Sequence, residues 1–170
     1  MVLRSKQPYI GGMSDAAFRD HDHAHCAAPA LAEAEAIASA RGLRLTPVRR
    51  RVLEILLEDH RALGAYDILA RLKEDGFGDQ PPVAYRALDF LVANGLAHRV
   101  QRLNAFTACL HPGEEHAPAF FICEACQSVA EAPEEAVEAA ISSVAAGLGF
   151  QVTRAAVEVV GTCPSCQAQS

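Results

Sequence analysis

The stretch Pro81-Pro82-Val83-Ala84-Tyr85-Arg86-Ala87-Leu88-Asp89-Phe90-Leu91-Val92-Ala93-Asn94-Gly95-Leu96-Ala97-His98-Arg99-Val100 changes its hydrophobic rhythm once, and that change decides the fold. Its first half is helical. Paired prolines suit a first helical turn, where the ring-fixed φ is already correct and the missing N–H has no intrahelical partner to lose. Val83, Ala84, Ala87, Leu88, Leu91 and Val92 recur at helical spacing and form one buried stripe. Tyr85, Arg86 and Asp89 lie off that stripe and point outward. The helix runs to Asn94, and Gly95 stands where it stops. Beyond it, residues 96–100 read as a strand, Arg102-Leu103-Asn104 as a turn and residues 105–109 as the returning strand.

Upstream, residues 30–40 are rich in Ala, Glu, Leu and Ile, and Gly42 closes that helix. Thr46-Pro47 reads as an N-cap followed by proline at the first helical position. The helix it opens runs to about Glu58, with Val48, Val52, Leu53, Leu56 and Leu57 at helical spacing. A third helix covers residues 65–74 and ends at Gly76. Short helices followed by a two-stranded hairpin make a winged helix-turn-helix, whose fourth helix is the one suited to a major groove. Charge agrees with that reading. Residues 41–102 carry 11 basic and 8 acidic groups, net +3, whereas residues 103–170 carry 1 basic and 8 acidic groups, net −7. Of the 15 basic residues 13 are Arg, the side chain suited to bidentate phosphate and guanine contacts. The two halves therefore have different partners.

Pro112-Gly113-Glu114-Glu115 breaks the pattern and reads as a hinge. After it come strands at residues 119–122 and 128–131, a helix over 133–146 with Val137, Ile141 and Val144 on its apolar face, and a third strand between 150 and 160, broken near Arg154. A Cys-x-x-Cys pair follows each outer strand: Cys123 with Cys126, and Cys163 with Cys166, separated by 36 residues. Two thiolate pairs at such spacing match the four ligands of a tetrahedral structural Zn²⁺, with a redox dithiol as the alternative. The fold class is α+β: an N-terminal winged helix-turn-helix domain and a small C-terminal α/β dimerisation domain with structural zinc. The expected divisions are a flexible extension over 1–27, a winged-helix domain over 28–110, a hinge over 111–116 and the zinc lobe over 117–170. A small sheet with open edges resolves them by pairing with a second copy, which points to a homodimer. The His21-Asp22-His23-Ala24-His25-Cys26 tract in the extension is read as a solvated tail, with metal binding as the alternative.

A second cluster of donors surrounds the hinge: His98, Cys109, His111, Glu115, His116 and Glu131. A thiolate with imidazoles and carboxylates suits Zn²⁺ better than Mg²⁺ or Ca²⁺, and ligands from both lobes couple metal occupancy to lobe geometry. Singly, each has a plainer reading: a histidine on a strand, or Cys109 as a small buried hydrophobe. An enzyme is not expected. His111-Pro112-Gly113-Glu114-Glu115-His116 has the wrong order and spacing for a zinc protease, and the chain lacks a deaminase signature, a P-loop and a dinucleotide fingerprint. There is no run of 18 apolar residues to span a membrane, and residues 1–12 lack the apolar segment of a signal peptide. Six cysteines without export fit a reducing cytoplasm.

Arg44-Leu45-Thr46-Pro47-x-Arg49, Ala65-Tyr66-Asp67-Ile68-Leu69, Pro82-x-Ala84-Tyr85-Arg86-Ala87-Leu88-Asp89-Phe90-Leu91 and Phe121-Ile122-Cys123-x-x-Cys126, in this order, resemble the ferric uptake regulator superfamily. The resemblance covers about residues 30–166 and is strongest to the zinc-uptake-regulator branch. It implies a homodimeric zinc-dependent repressor of zinc uptake genes, with two Zn²⁺ per subunit, a palindromic double-stranded operator, and no small-molecule substrate other than Zn²⁺. Cys123, Cys126, Cys163 and Cys166 match the structural ligands, and His98, Cys109, His116 and Glu131 the regulatory ones. Tyr66 and Arg86 match operator-contacting positions, and Tyr85 a position on the recognition helix. Cys109 separates this branch from iron- and peroxide-sensing relatives, which use no thiolate there. An iron or peroxide sensor of the same fold remains the alternative, followed by a zinc-buffering or redox protein that binds no DNA. Ala84 departs from the family's usual residue, His111 has no clear counterpart, and the His-rich extension is unusual.

Overall fold

A computed structural model describes residues 18, 24–58, 61–110, 112, 119–132 and 135–169. Four helices come first: α1 (Ala24–Ala40), α2 (Pro47–Leu57), α3 (Ala65–Glu74) and α4 (Pro81–Ala93). The hairpin of β1 (Ala97–Val100) and β2 (Ala105–Ala108) follows, then β3 (Ala119–Cys123), β4 (Val129–Ala132), α5 (Glu135–Leu148), β5 (Val157–Gly161) and the short α6 (Pro164–Gln167). The architecture is α+β, a winged helix-turn-helix followed by a small lobe with a three-stranded sheet. No described helix is long and apolar enough to cross a membrane.

The helical boundaries follow from their caps. Thr46 Oγ1 accepts the Arg49 N–H ahead of Pro47, as an N-cap should. At the end of α4, Gly95 adopts φ +68°, so the Leu96 N–H reaches Leu91 O at 2.9 Å and the chain turns directly into β1. Alanine there would be strained by its backbone angle. Ala84, Ala87, Leu88 and Leu91 of α4 pack with Val52, Leu53, Ile55 and Leu56 of α2 and Ile68 and Leu72 of α3. Val83 and Val92 flank this core half-buried, while Tyr85, Arg86 and Asp89 are exposed. Each fully buried aliphatic side chain contributes about 1.5–3 kcal/mol, so this core fixes how α4 is presented.

The structure departs from the expected elements in three places. α1 begins at Ala24 rather than residue 30 and runs through Pro29, which reads as a break in the sequence because it has no N–H to give the carbonyl one turn back. The last strand begins only at Val157, because Phe150 and Val152 are exposed rather than paired into the sheet. The first cysteine pair follows a central strand, not an outer one: the sheet order is β4-β3-β5. β3 pairs antiparallel with β4 and parallel with β5. That parallel register is what brings the two cysteine pairs to one end of the sheet, since Cys123 lies opposite Gly161, two residues before Cys163. Parallel pairing requires a long crossover, here supplied by β4 and α5.

A second, smaller core joins the lobes. Val100 of β1 packs with Phe120, Ile122 and Val129 of the sheet, and Ala62 and Leu103 close its edge. The C-terminal lobe also leaves large apolar groups in the open: Phe121, Val144, Leu148, Phe150, Val159 and Val160. On the helical lobe, surface ion pairs tie α1 to α2 through Glu35 and Arg50, and α2 to α3 through Arg51 with Asp75 and Arg71 with Glu58. Arg50 also engages Glu54 within α2. Exposed pairs of this kind stabilise by about 0.2–1 kcal/mol each. Their larger consequence is that three arginines of the basic segment face carboxylates of their own chain.

Candidate metal centres

At the end of the parallel pair, one sulfur from each of Cys123, Cys126, Cys163 and Cys166 lies within 4.8 Å of the others. A tetrahedron of zinc–sulfur bonds about 2.3 Å long has sulfur–sulfur edges of about 3.8 Å. The Cys126 Sγ–Cys163 Sγ separation is 3.8 Å. The surroundings favour thiolates unevenly. Burial pushes the Cys123 thiol up, but N–H donors at Cys126, Cys163 and Ala125 outweigh it and bring the thiol down to about 6. Its contact with the Cys163 N–H is 3.3 Å. Hydrogen bonding to the Ser128 hydroxyl, at 3.2 Å, lowers Cys126 against the opposing effect of burial. Cys166, beside the sulfurs of Cys163 and Cys126, is pushed up to about 12. Four like charges this close do not ionise together without a cation, and a divalent ion removes that conflict. The donor set fits zinc.

The second group stands between the lobes. His98 is on β1, Cys109 follows β2, and Glu131 is on β4; their ligand atoms lie within 4.8 Å of one another. Local geometry explains the gathering. His98 is opposite Thr107 in the hairpin, so Cys109, two residues on, falls on the same face. The Cys109 N–H donates to Leu96 O at 3.1 Å and holds the chain in register past the end of β2. Glu131 lies opposite Phe120 on β3, and the Phe120 ring packs at 5.7 Å from the His98 ring. Glu131 is the buried charged side chain among the described residues, 3% exposed. Its Oε2 accepts the Leu110 N–H at 3.2 Å and its Oε1 stands 3.4 Å from His98 Nε2. A nitrogen and an oxygen bound to one tetrahedral zinc sit about 3.3 Å apart. A buried carboxylate beside a thiol is costly unless a cation compensates it, so the chemistry of this set also fits zinc. His116, His111 and Glu115 lie outside the described residues, as do residues 21–23 of the His-rich tract.

The proposed DNA-facing residues are displayed by α3 and α4. Tyr66, in the first turn of α3, is 69% exposed, and Tyr85 and Arg86 are exposed on α4. Arg49 of α2 lies over the Phe90 ring at 3.6 Å, a cation–π contact that ties α2 to α4 on the flank Phe90 shares with Arg86. The sequence reading overlooked Phe120, the aromatic floor beneath His98, and Ser128, the hydroxyl beside Cys126. Phe120 lies in the continuous apolar run Ala119-Phe120-Phe121-Ile122, where nothing in the sequence marks it off from the exposed Phe121.

A winged helix joined to a lobe with one all-thiolate and one mixed thiolate, imidazole and carboxylate set defines the class of winged-helix metal-binding regulators. The ferric uptake regulator family model matches residues 40–160, and the chain belongs to that family. It is 39% identical over 131 residues to the zinc uptake regulation protein of Escherichia coli (strain K12), covering 76% of this chain and 77% of that one. A zinc uptake regulator solved in complex with zinc and DNA aligns with a TM-score of 0.78 at 37% identity, over 84% of this chain and 96% of the other. The crystal structure of apo XcZur aligns at 0.50 despite 39% identity, over 84% and 99% of the two chains. At nearly equal sequence identity, the arrangement is much nearer that of the zinc- and DNA-bound relative.

Proposed function

We propose that this protein is a zinc-responsive transcriptional repressor that binds operator DNA as a homodimer when its regulatory zinc site is filled, controlling zinc uptake genes in the cytoplasm. One observation carries the reading: donors from β1, the end of β2 and β4 converge between the lobes. An ion held there by His98, Cys109 and Glu131, with His116 as the fourth ligand, ties the winged helix to the sheet lobe. Filling the site therefore selects one lobe arrangement among many. The likeness to the zinc- and DNA-bound relative supports this as the competent arrangement. Cys123, Cys126, Cys163 and Cys166 hold a second zinc with a structural role, giving two per subunit. The soft Cys109 thiolate favours zinc over iron at the regulatory site. No residue is assigned a catalytic role.

Dimer formation is supported by the apolar groups the C-terminal lobe exposes. Val144 and Leu148, one turn apart on α5, are 65% and 76% exposed, a pattern expected where a second copy covers the helix. In such a dimer two α4 helices face successive major-groove turns of a palindrome, with Tyr66, Tyr85 and Arg86 at the DNA.

The test is operator-duplex binding in zinc-buffered solution. Binding is expected to rise steeply over a narrow range of free zinc, and to be indifferent to ferrous iron and peroxide. A flat zinc response sinks the proposal. Arg86→Ala is expected to weaken operator binding by about 10–100-fold, the range of one lost bidentate base contact, and to flatten base preference. If only the salt dependence changes, Arg86 touches phosphate instead.

A further inference from the structure

Glu131, Phe120 and Glu158 occupy matching register positions on the three strands of the C-terminal sheet, so their side chains form one row on one face. The hairpin of the winged helix lies along that row. At one end Glu131 faces His98 and receives the Leu110 N–H. In the middle, Phe120 is 1% exposed, packed against His98 and Val100. At the other end the Glu158 carboxylate accepts two consecutive backbone N–H groups from the hairpin turn, Gln101 at 2.6 Å and Arg102 at 2.9 Å. Consecutive N–H groups gripping one anion form a nest, and both bonds are charge-assisted. The partners are 57 and 56 residues apart in sequence, so these bonds join the two lobes.

We propose that Glu158 is a positioning residue for the zinc switch, a metal-independent latch that sets how much zinc is needed to close the lobes. The proposal rests on the zinc-responsive reading above. Zinc binds a site complete only in the closed arrangement, so its apparent affinity scales with the fraction of protein already closed. The latch raises that fraction while touching neither zinc nor DNA. Removing it shifts the zinc threshold and leaves the zinc-saturated state intact, because saturating metal closes the lobes regardless. A residue that merely held the lobe folded would lower the plateau instead.

The experiment compares the full chain with Glu158→Gln and Glu158→Ala at buffered free zinc, reading operator-duplex binding by fluorescence anisotropy. Zn²⁺ affinity of the regulatory site is measured separately, without DNA, by competition with a chelator. In Glu158→Gln the zinc midpoint is expected to rise about tenfold, the scale of one charge-assisted hydrogen bond, and in Glu158→Ala by more. Zinc affinity of the regulatory site falls by the same factor, and plateau DNA affinity, dimer mass and the four-cysteine zinc stay unchanged. A midpoint within twofold of the unmodified chain overturns the latch, as does a lowered plateau or loss of dimer. If the unmodified chain binds duplex without regard to zinc, the repressor reading fails, and the DNA-free competition alone decides the latch: a fall in affinity supports it, no change overturns it.

Discussion

Cys123→Ser is expected to release the structural zinc, unfold the C-terminal lobe and dissolve the dimer. The lobe has few other resources. Its sheet is three strands of four or five residues, and the buried cluster on it is Phe120, Ile122 and Val129 with Val100 lent by the wing. A structural zinc supplies on the order of 10–16 kcal/mol of apparent folding free energy, as much as the whole stability of a typical domain. Cys123 is the ligand with most to lose: it is 1% exposed, receives the Cys163 N–H, and its thiol is already brought down to about 6 by surrounding donors. Serine presents a neutral hydroxyl to the metal and to those donors. The predicted readings are at most one zinc per subunit, a monomer on gel filtration, and loss of amide protection confined to residues 119–169, with the helical lobe still protected. A folded dimer retaining two zincs would refute the structural role.

Much of this is legible in the sequence itself, for physical reasons that differ along the chain. α2, α3 and α4 carry both an apolar stripe and a cap, so period and punctuation agree: Thr46 before Pro47, Gly76 after α3, Gly95 after α4. The two cysteine pairs were conspicuous because few chemistries need that spacing. The β1–β2 hairpin was legible from its turn, but strand pairing in the C-terminal sheet was not. Phe150 and Val152 look like a strand in composition, yet they stand exposed at 66% and 39%, as groups covered by a partner would. An apolar run reads alike whether its cover is its own sheet or a second subunit. Glu158 was invisible for a related reason. In Val157-Glu158-Val159-Val160 it reads as the solvent-facing member of an alternating strand, and only its register with Phe120 and Glu131 sets it on the face that the wing occupies.

Cys109→Ser is expected to abolish zinc-stimulated operator binding while leaving a folded dimer with one zinc per subunit. Cys109 is 3% exposed at the end of the hairpin, held by its N–H to Leu96 O, and serine fits that space without moving the backbone. What changes is the donor. A neutral hydroxyl is a far poorer zinc ligand than a thiolate, and loss of even an outer-shell partner typically lowers metal affinity by 10–100-fold, so loss of a ligand costs roughly 100-fold or more. At zinc levels that saturate the unmodified chain the variant stays open, and the coupling of about 1–3 kcal/mol per site, doubled in a dimer, no longer reaches the DNA. Glu131 makes the contrast sharper. Buried, with His98 on one oxygen and the Leu110 N–H on the other, it remains available to the closed arrangement in the variant, but these contacts without a strongly bound metal do not hold the lobes there. The paired measurement is zinc stoichiometry and operator affinity at saturating zinc, set beside Cys123→Ser. Loss of the dimer in both variants would erase the division between a structural and a sensing site; loss of DNA response in Cys109→Ser with its dimer intact is the signature of a site that reports zinc through lobe geometry.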